Sequence, residues 1–206
     1  MVKQERAART RETLIRSAAE VFDREGFSAS SLSQISSLAG VSNGALHFHF
    51  ESKAALADAV EAEALDRLRV VTGVGPPVGA GRVQFLVDAT QGLAGALRHD
   101  VVLRAGFALS GGPVRPVRAG LREHWRSWVE EAVERAEEEG ELRPEAAAQD
   151  VVTAVVAATV GFEVLGVRDA QWLSAAAVGR FWRLLLPTLV PEDALHGVRV
   201  EEARPS

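Results

Sequence analysis

The chain has 206 residues, 47% of them hydrophobic, enough for one or two domains with a real core. It has no cysteine, which excludes a disulfide framework, a thiolate metal site and a thiol nucleophile. The net charge of -5 speaks mildly against nucleic acid, but residues 1–53 hold seven Lys and Arg against six Asp and Glu, and local charge is what meets phosphate. No run of about 18 apolar residues is expected to cross a membrane. The N-terminal stretch is polar and charged, without the apolar region of a signal peptide. The expectation is a cytoplasmic protein.

Arg6–Glu25 reads as a helix, with Leu14, Ile15, Ala18 and Phe22 on one face and Gly26 as its C-terminal cap. Ser31-Leu32-Ser33-Gln34 fits a capping box ahead of a second helix, whose buried stripe is Leu32, Ile35 and Leu38. The turn Ala39-Gly40-Val41 leads to a third helix, capped by Ser42, with Leu46 inward. Its leading side is Ser42, Asn43, Gly44 and Ala45, small and polar, as a helix entering a DNA major groove must be. Ser52 caps a fourth helix running through Leu56, Val60, Ala64 and Leu68.

Gly73 to Gly81, with two prolines and four glycines, is a clear break. Helical segments then resume at Arg82–His99, Val101–Leu109, Arg118–Glu139, Pro144–Gly166 and Ala170–Leu189, and Ser110-Gly111-Gly112-Pro113 separates two of them. The charge run Glu130–Glu141 reads as a solvated face. Val151–Leu165 and Trp172–Leu189 are apolar on most sides and need two partners. One partner is the core. The other is either more of the same core or a second copy across a two-fold axis. The fold class expected is all-α: a three-helix helix-turn-helix head over residues 1–53, a helical body over 54–190, and a tail over 191–206.

The run Gly40-Val41-Ser42-Asn43-Gly44-Ala45-Leu46-His47-Phe48-His49-Phe50-Glu51-Ser52-Lys53-Ala54-Ala55-Leu56, after its three-helix head, resembles the tetracycline-repressor (TetR) family of bacterial transcription regulators. Within it, Gly44-Ala45-Leu46, Phe48-His49-Phe50, Val102-Leu103-Arg104-Ala105-Gly106, Pro113-Val114-Arg115-Pro116 and Trp125 resemble the γ-butyrolactone receptors and pseudo-receptors of Streptomyces-type actinomycetes. The resemblance implies a homodimer on a pseudo-palindromic double-stranded DNA operator, with a body that binds a small molecule and dimerises. It implies repression released by a γ-butyrolactone-like or antibiotic-like effector, with no cofactor. The chain departs from the family at His47, where a tyrosine is usual.

For the head, Asn43 can pair with a base edge, adenine being the favoured match. Gly44 and Ala45 allow close approach, and the Ala45 methyl can meet a thymine methyl. Ser42 opens the recognition helix. Ser31 and Ser33 can meet phosphate, although capping is the first role of Ser31. His47 can donate to phosphate, more strongly when protonated. Lys53, in the first turn of the fourth helix, is placed for phosphate. Arg6 and Arg9 can lie along the backbone or in a minor groove. Each of these side chains has a plainer reading as a helix cap or solvated group. His49 reads as a packing or capping residue, and His47 and His49, two apart, point to different sides of a helix and make no metal pair.

For the body, Phe85, Phe107, Trp125, Trp128 and Phe162 suit the apolar wall of a small-molecule pocket. Thr159 could offer a hydroxyl to a ligand carbonyl or bond its own helix backbone. The resemblance places Trp125 in the lactone pocket. The plainer reading is that the aromatics fill a core. No phosphate loop, nucleophile elbow, metal cluster or catalytic pair is legible, so no enzyme is expected. A DNA-binding architectural protein that senses nothing is the remaining alternative.

Overall fold

A computed structural model describes residues 2–73, 75–77, 79–111 and 120–200. Among the described residues the regular elements are all helical: α1 (Val2–Ala29), α2 (Leu32–Leu38), α3 (Asn43–His49), α4 (Lys53–Thr72), α5 (Arg82–His99), α6 (Val101–Gly111), α7 (Leu121–Glu138), α8 (Ala148–Gly166), a 3-10 turn (Ala170–Leu173), α9 (Ala175–Leu189) and α10 (Glu192–Leu195). They form two compact units, residues 1–68 with 100–121, and residues 69–99 with 122–206.

In the first unit, α1 is broken at Gly26 (φ 78), where the expected cap falls. It buries Leu14, Ile15, Ala18, Val21 and Phe22. The α4 stripe Leu56, Val60, Ala64 and Leu68 is fully buried. α6 packs along α1, with Arg104 paired to Asp23 at 3.0 Å. A Cβ on Gly106 would sit 2.2 Å from that of Ala64, so this glycine is what allows α6 so close to α4. Asp100 caps α6 by accepting from the N–H groups of Val102 (2.9 Å) and Leu103 (3.2 Å). Arg67 donates to the same carboxylate at 2.5 and 2.7 Å. Packing therefore groups residues beyond Lys53 with the head, because α4 and α6 complete its core.

One expectation for this unit changes. Leu38 is 47% exposed, because the buried face of α2 lies between Ile35 and Ser36, leaving Leu38 to one side. Ser36 takes the inward place at 4% exposure. The Pro113-Val114-Arg115-Pro116 segment and the start of the expected helix at Arg118 lie outside the described residues.

In the second unit, α5 packs on α8, α9 and the 3-10 turn. Its Thr90 accepts from the indole N–H of Trp182 at 2.7 Å. The start of α5 is held by Glu141, whose carboxylate accepts from the N–H groups of Arg82 (2.7 Å) and Val83 (2.9 Å). The end of the charge run is thus a distant helix cap. The expected helix from Pro144 begins only at Ala148, and that expected from Ala170 is divided at Ser174, which caps α9. Part of the expected tail is held in place, with Arg199 N–H donating to Gln84 Oε1 at 2.7 Å.

α8 buries Val151, Val155, Thr159 and Glu163, a stripe half polar, and leaves Val164 (52%) and Leu165 (43%) exposed. By length and composition alone it is apolar enough to cross a membrane, a test that the core helix of a soluble protein also passes. Leu184 on α9 is 80% exposed.

Candidate functional site

The head is framed from both ends of α2. The capping box forms as expected: Gln34 N–H donates to Ser31 Oγ (3.2 Å) and Ser31 N–H to Gln34 Oε1 (2.8 Å). The Gln34 amide also donates to Glu25 at 2.9 Å, tying α2 to the end of α1. After Ala39, Gly40 adopts φ 67, a left-handed turn that suits glycine. Val41 N–H then donates to Ser36 O at 3.0 Å. Ser42 caps α3 by accepting from Ala45 N–H at 3.1 Å.

With Leu46 and Phe50 buried, α3 turns Asn43, Gly44, His47 and Phe48 outward. Ser31, Ser33 and Ser42 are also exposed, as are Arg6 and Arg9 near the start of α1, while Ala45 is half-buried. Asn43 is anchored: Ser36 Oγ–H donates to its Oδ1 at 2.6 Å. Phe48, 81% exposed, packs edge-on to His49 with ring centroids 5.2 Å apart. The sequence reading gave Phe48 no role on this surface. The signal was there, since Leu46 and Phe50 point inward and leave the residue between them facing out.

Lys53 lies in the first turn of α4, as expected. Its ammonium donates to the carbonyls of Phe27 (2.6 Å) and Ser30 (2.7 Å) and lies 4.6 Å above the Phe27 ring. The Phe27 carbonyl also accepts from Ser30 Oγ at 2.8 Å, and a cation is a strong partner for carbonyls at such a break. Arg11 lies 5.3 Å over Phe50 in the same manner. The two cations brace the helix-turn-helix from behind.

In the second unit, Phe85, Trp128 and Trp125 form a continuous aromatic run, with ring centroids 5.4 and 5.2 Å apart. Trp125, 1% exposed, donates its indole N–H to Thr159 Oγ1 at 2.8 Å. Thr159 Oγ in turn lies 2.9 Å from Val155 O and 3.0 Å from Val156 O. Its hydroxyl is thus satisfied without a ligand. Phe162 belongs to a different group, with Phe181 at 6.0 Å and Trp182 beyond. Phe107 is buried in α6, in the first unit. Four of the six expected ligand residues therefore come together.

One turn from Trp125, Arg122 and Glu163 form a paired fork at 2.9 Å per bond. Burial pushes the Glu163 carboxyl up, against the pull of Arg122. His124 is pushed down, by burial first and then by the Arg69 cation. The sequence reading missed these three.

Phe85 and Trp128 line a cavity of about 230 Å³ with Gly73, Gly75 and Arg82. A larger open groove of about 830 Å³ runs between the acidic side of α7 (Glu130, Glu134, Glu137) and Val152, Val156 and Val160 of α8, and none of the six expected ligand residues lines it.

Residues 14–60 match the family profile described as bacterial regulatory proteins, tetR family. Over 205 residues the chain is 31% identical to the A-factor receptor protein of Streptomyces griseus, covering 98% of this chain and 71% of that one. A solved gamma-butyrolactone receptor (ArpA-like protein) superposes with a TM-score of 0.76 at 30% identity, over 91% of this chain and 92% of that one. CprB of Streptomyces coelicolor, solved with its biological operator sequence, gives 0.77 at 29% identity, over 94% of each chain.

Proposed function

The chain belongs to the tetR family of bacterial regulatory proteins, DNA-binding transcriptional regulators and not enzymes, and on that premise we propose that it is a ligand-responsive repressor. It acts as a homodimer on a pseudo-palindromic operator, two recognition helices meeting half-sites about one helical turn of DNA apart. The observation that carries this reading is the outward surface of α3, Asn43 to Phe48, held on a braced frame. Asn43, Gly44 and Ala45 face base edges, while His47, Ser31, Ser33, Ser42, Arg6 and Arg9 serve the sugar–phosphate backbone. Lys53 contributes by position, since its ammonium is engaged within the head. Residues 1–53 are the DNA-reading part, residues 54–190 the ligand-binding and dimerisation part, and the cytoplasm is its place of action.

The effector is a small apolar molecule with a polar end, of the γ-butyrolactone or antibiotic-like class. The aromatic run Phe85–Trp128–Trp125 and the neighbouring Thr159 support this, as does the likeness to the A-factor receptor. Such a ligand releases DNA only by binding the DNA-incompetent state more tightly. The exposed apolar sides of α8 and α9 support a second copy as the missing partner of both helices. The open groove along α8 then belongs to that interface, not to the effector.

A second reading, a regulator that needs no ligand, is favoured by the closed Trp125–Thr159 pair. A gel shift on DNA flanking the gene, with and without synthetic γ-butyrolactones and culture extract, separates the two. Release by either addition supports the repressor. A shift that nothing releases supports the second reading, and no shift at low salt, where phosphate contacts are strongest, counts against both.

A further inference from the structure

We propose that Ser36, a buried residue that does not reach the DNA surface, sets the base preference of the recognition helix by fixing the amide of Asn43. The inference rests on the reading of α3 as the DNA-contacting helix and adds what that helix prefers. Ser36 is 4% exposed, and its Oγ lies 2.6 Å from Asn43 Oδ1 and 3.1 Å from Ser33 O. The bond to Asn43 joins the two helices of the helix-turn-helix across the Gly40 turn.

An asparagine's terminal torsion is otherwise broad and nearly two-fold. A free Asn43 could present its oxygen or its nitrogen to a base with little difference in energy. Here one lone pair of the oxygen is engaged at 2.6 Å by Ser36, which fixes the amide and leaves the second lone pair, beside the Nδ2 hydrogens, for the groove. The bidentate adenine pair needs both an amide N–H for N7 and an amide oxygen for the N6 amino group. Guanine offers acceptors at both N7 and O6. The amide fixed by Ser36 therefore presents its oxygen and its N–H together and favours adenine, whereas an amide free to turn discriminates less. Ser36 is a positioning residue, and its effect requires Asn43.

The test is selection of bound duplexes from a DNA library with a randomised core, using the full chain and its Ser36→Ala, Asn43→Ala and double variants. The base pair read by Asn43 is the one whose preference vanishes in Asn43→Ala. The expected result is adenine there for the parent chain, with the adenine-over-guanine ratio falling about tenfold in Ser36→Ala while the rest of the motif is retained. The double variant should match Asn43→Ala. Ser36→Cys, close in size but a weak donor, should lose the preference too, which guards against a packing defect in the alanine variant. An unchanged ratio in Ser36→Ala and Ser36→Cys overturns the proposal and leaves the DNA-binding reading standing. So does guanine in the parent motif, or an equal effect of Ser36→Ala with and without Asn43. A parent chain that enriches no motif overturns both.

Discussion

Trp125 and Thr159 satisfy one another inside the second unit: the indole N–H donates to the threonine oxygen at 2.8 Å, and the hydroxyl lies within bonding distance of its own helix backbone. The same arrangement recurs between Trp182 and Thr90, at 2.7 Å. Thr90 likewise lies 2.8–2.9 Å from carbonyls of its own helix. Two large indoles are thus buried without an orphaned donor, each by a threonine turned back on its helix. A ligand that uses Trp125 as a donor must displace Thr159 to do so.

Thr159→Val tests that pairing. The methyl keeps the volume but leaves the Trp125 N–H buried with no acceptor, a cost of about 1–3 kcal/mol. Thr159→Ser keeps the hydroxyl and should cost less. Urea unfolding followed by tryptophan fluorescence measures both, and equal stability of the two variants would show that the hydroxyl matters little.

Lys53 separates bracing from phosphate contact. Its ammonium lies on two carbonyls at the end of α1, and charge-assisted bonds of this kind contribute roughly 1.5–3 kcal/mol each. Lys53→Met should lower the unfolding free energy and weaken DNA binding together. The slope of log affinity against log salt should stay the same, because no phosphate contact is lost. A slope shallower by about 1 would instead mean that Lys53 meets phosphate when DNA is bound.

The pH dependence of stability has a named contributor in His124. Burial and the Arg69 cation hold its pKa below the usual 6.5, so the folded state prefers the neutral ring. Its contribution is complete above the ordinary histidine value and is lost as pH falls below it, because the unfolded chain takes the proton first. The thermal midpoint should drop between pH 7.5 and pH 5.5, and drop less in His124→Gln. Equal drops would remove His124 from the linkage.

The head was legible because its signals are local. Ser31 with Gln34, the Gly40 turn and the Ser42 cap each act within four residues, and each holds in the structure. What escaped depends on partners far along the chain. Glu141 caps a helix that begins at Arg82, Lys53 donates to the carbonyls of Phe27 and Ser30, and the buried Glu163 is paired by Arg122 from another helix. No periodicity announces such pairs. The aromatic cluster was half legible for the same reason. Residue type and pattern picked out the six residues, but only the packing of α5, α7 and α8 joins Phe85, Trp125 and Trp128 and sets Phe162 beside Phe181 instead.

The assembly prediction turns on Leu184 and Val164. Their exposures, 80% and 52%, place large aliphatic groups in water on two helices whose other sides are already packed. Apolar surface of that kind on an unpartnered helix pair is the mark of an interface. In sedimentation the chain should behave as a dimer, and Leu184→Glu should give a single chain of unchanged helix content, since the residue supports no packing within its own copy. Operator binding should weaken sharply in that variant, because each head then meets its half-site alone. A parent chain that sediments as a monomer at micromolar concentration would reject the proposed dimer, and the exposed face of α8 would then need a different partner.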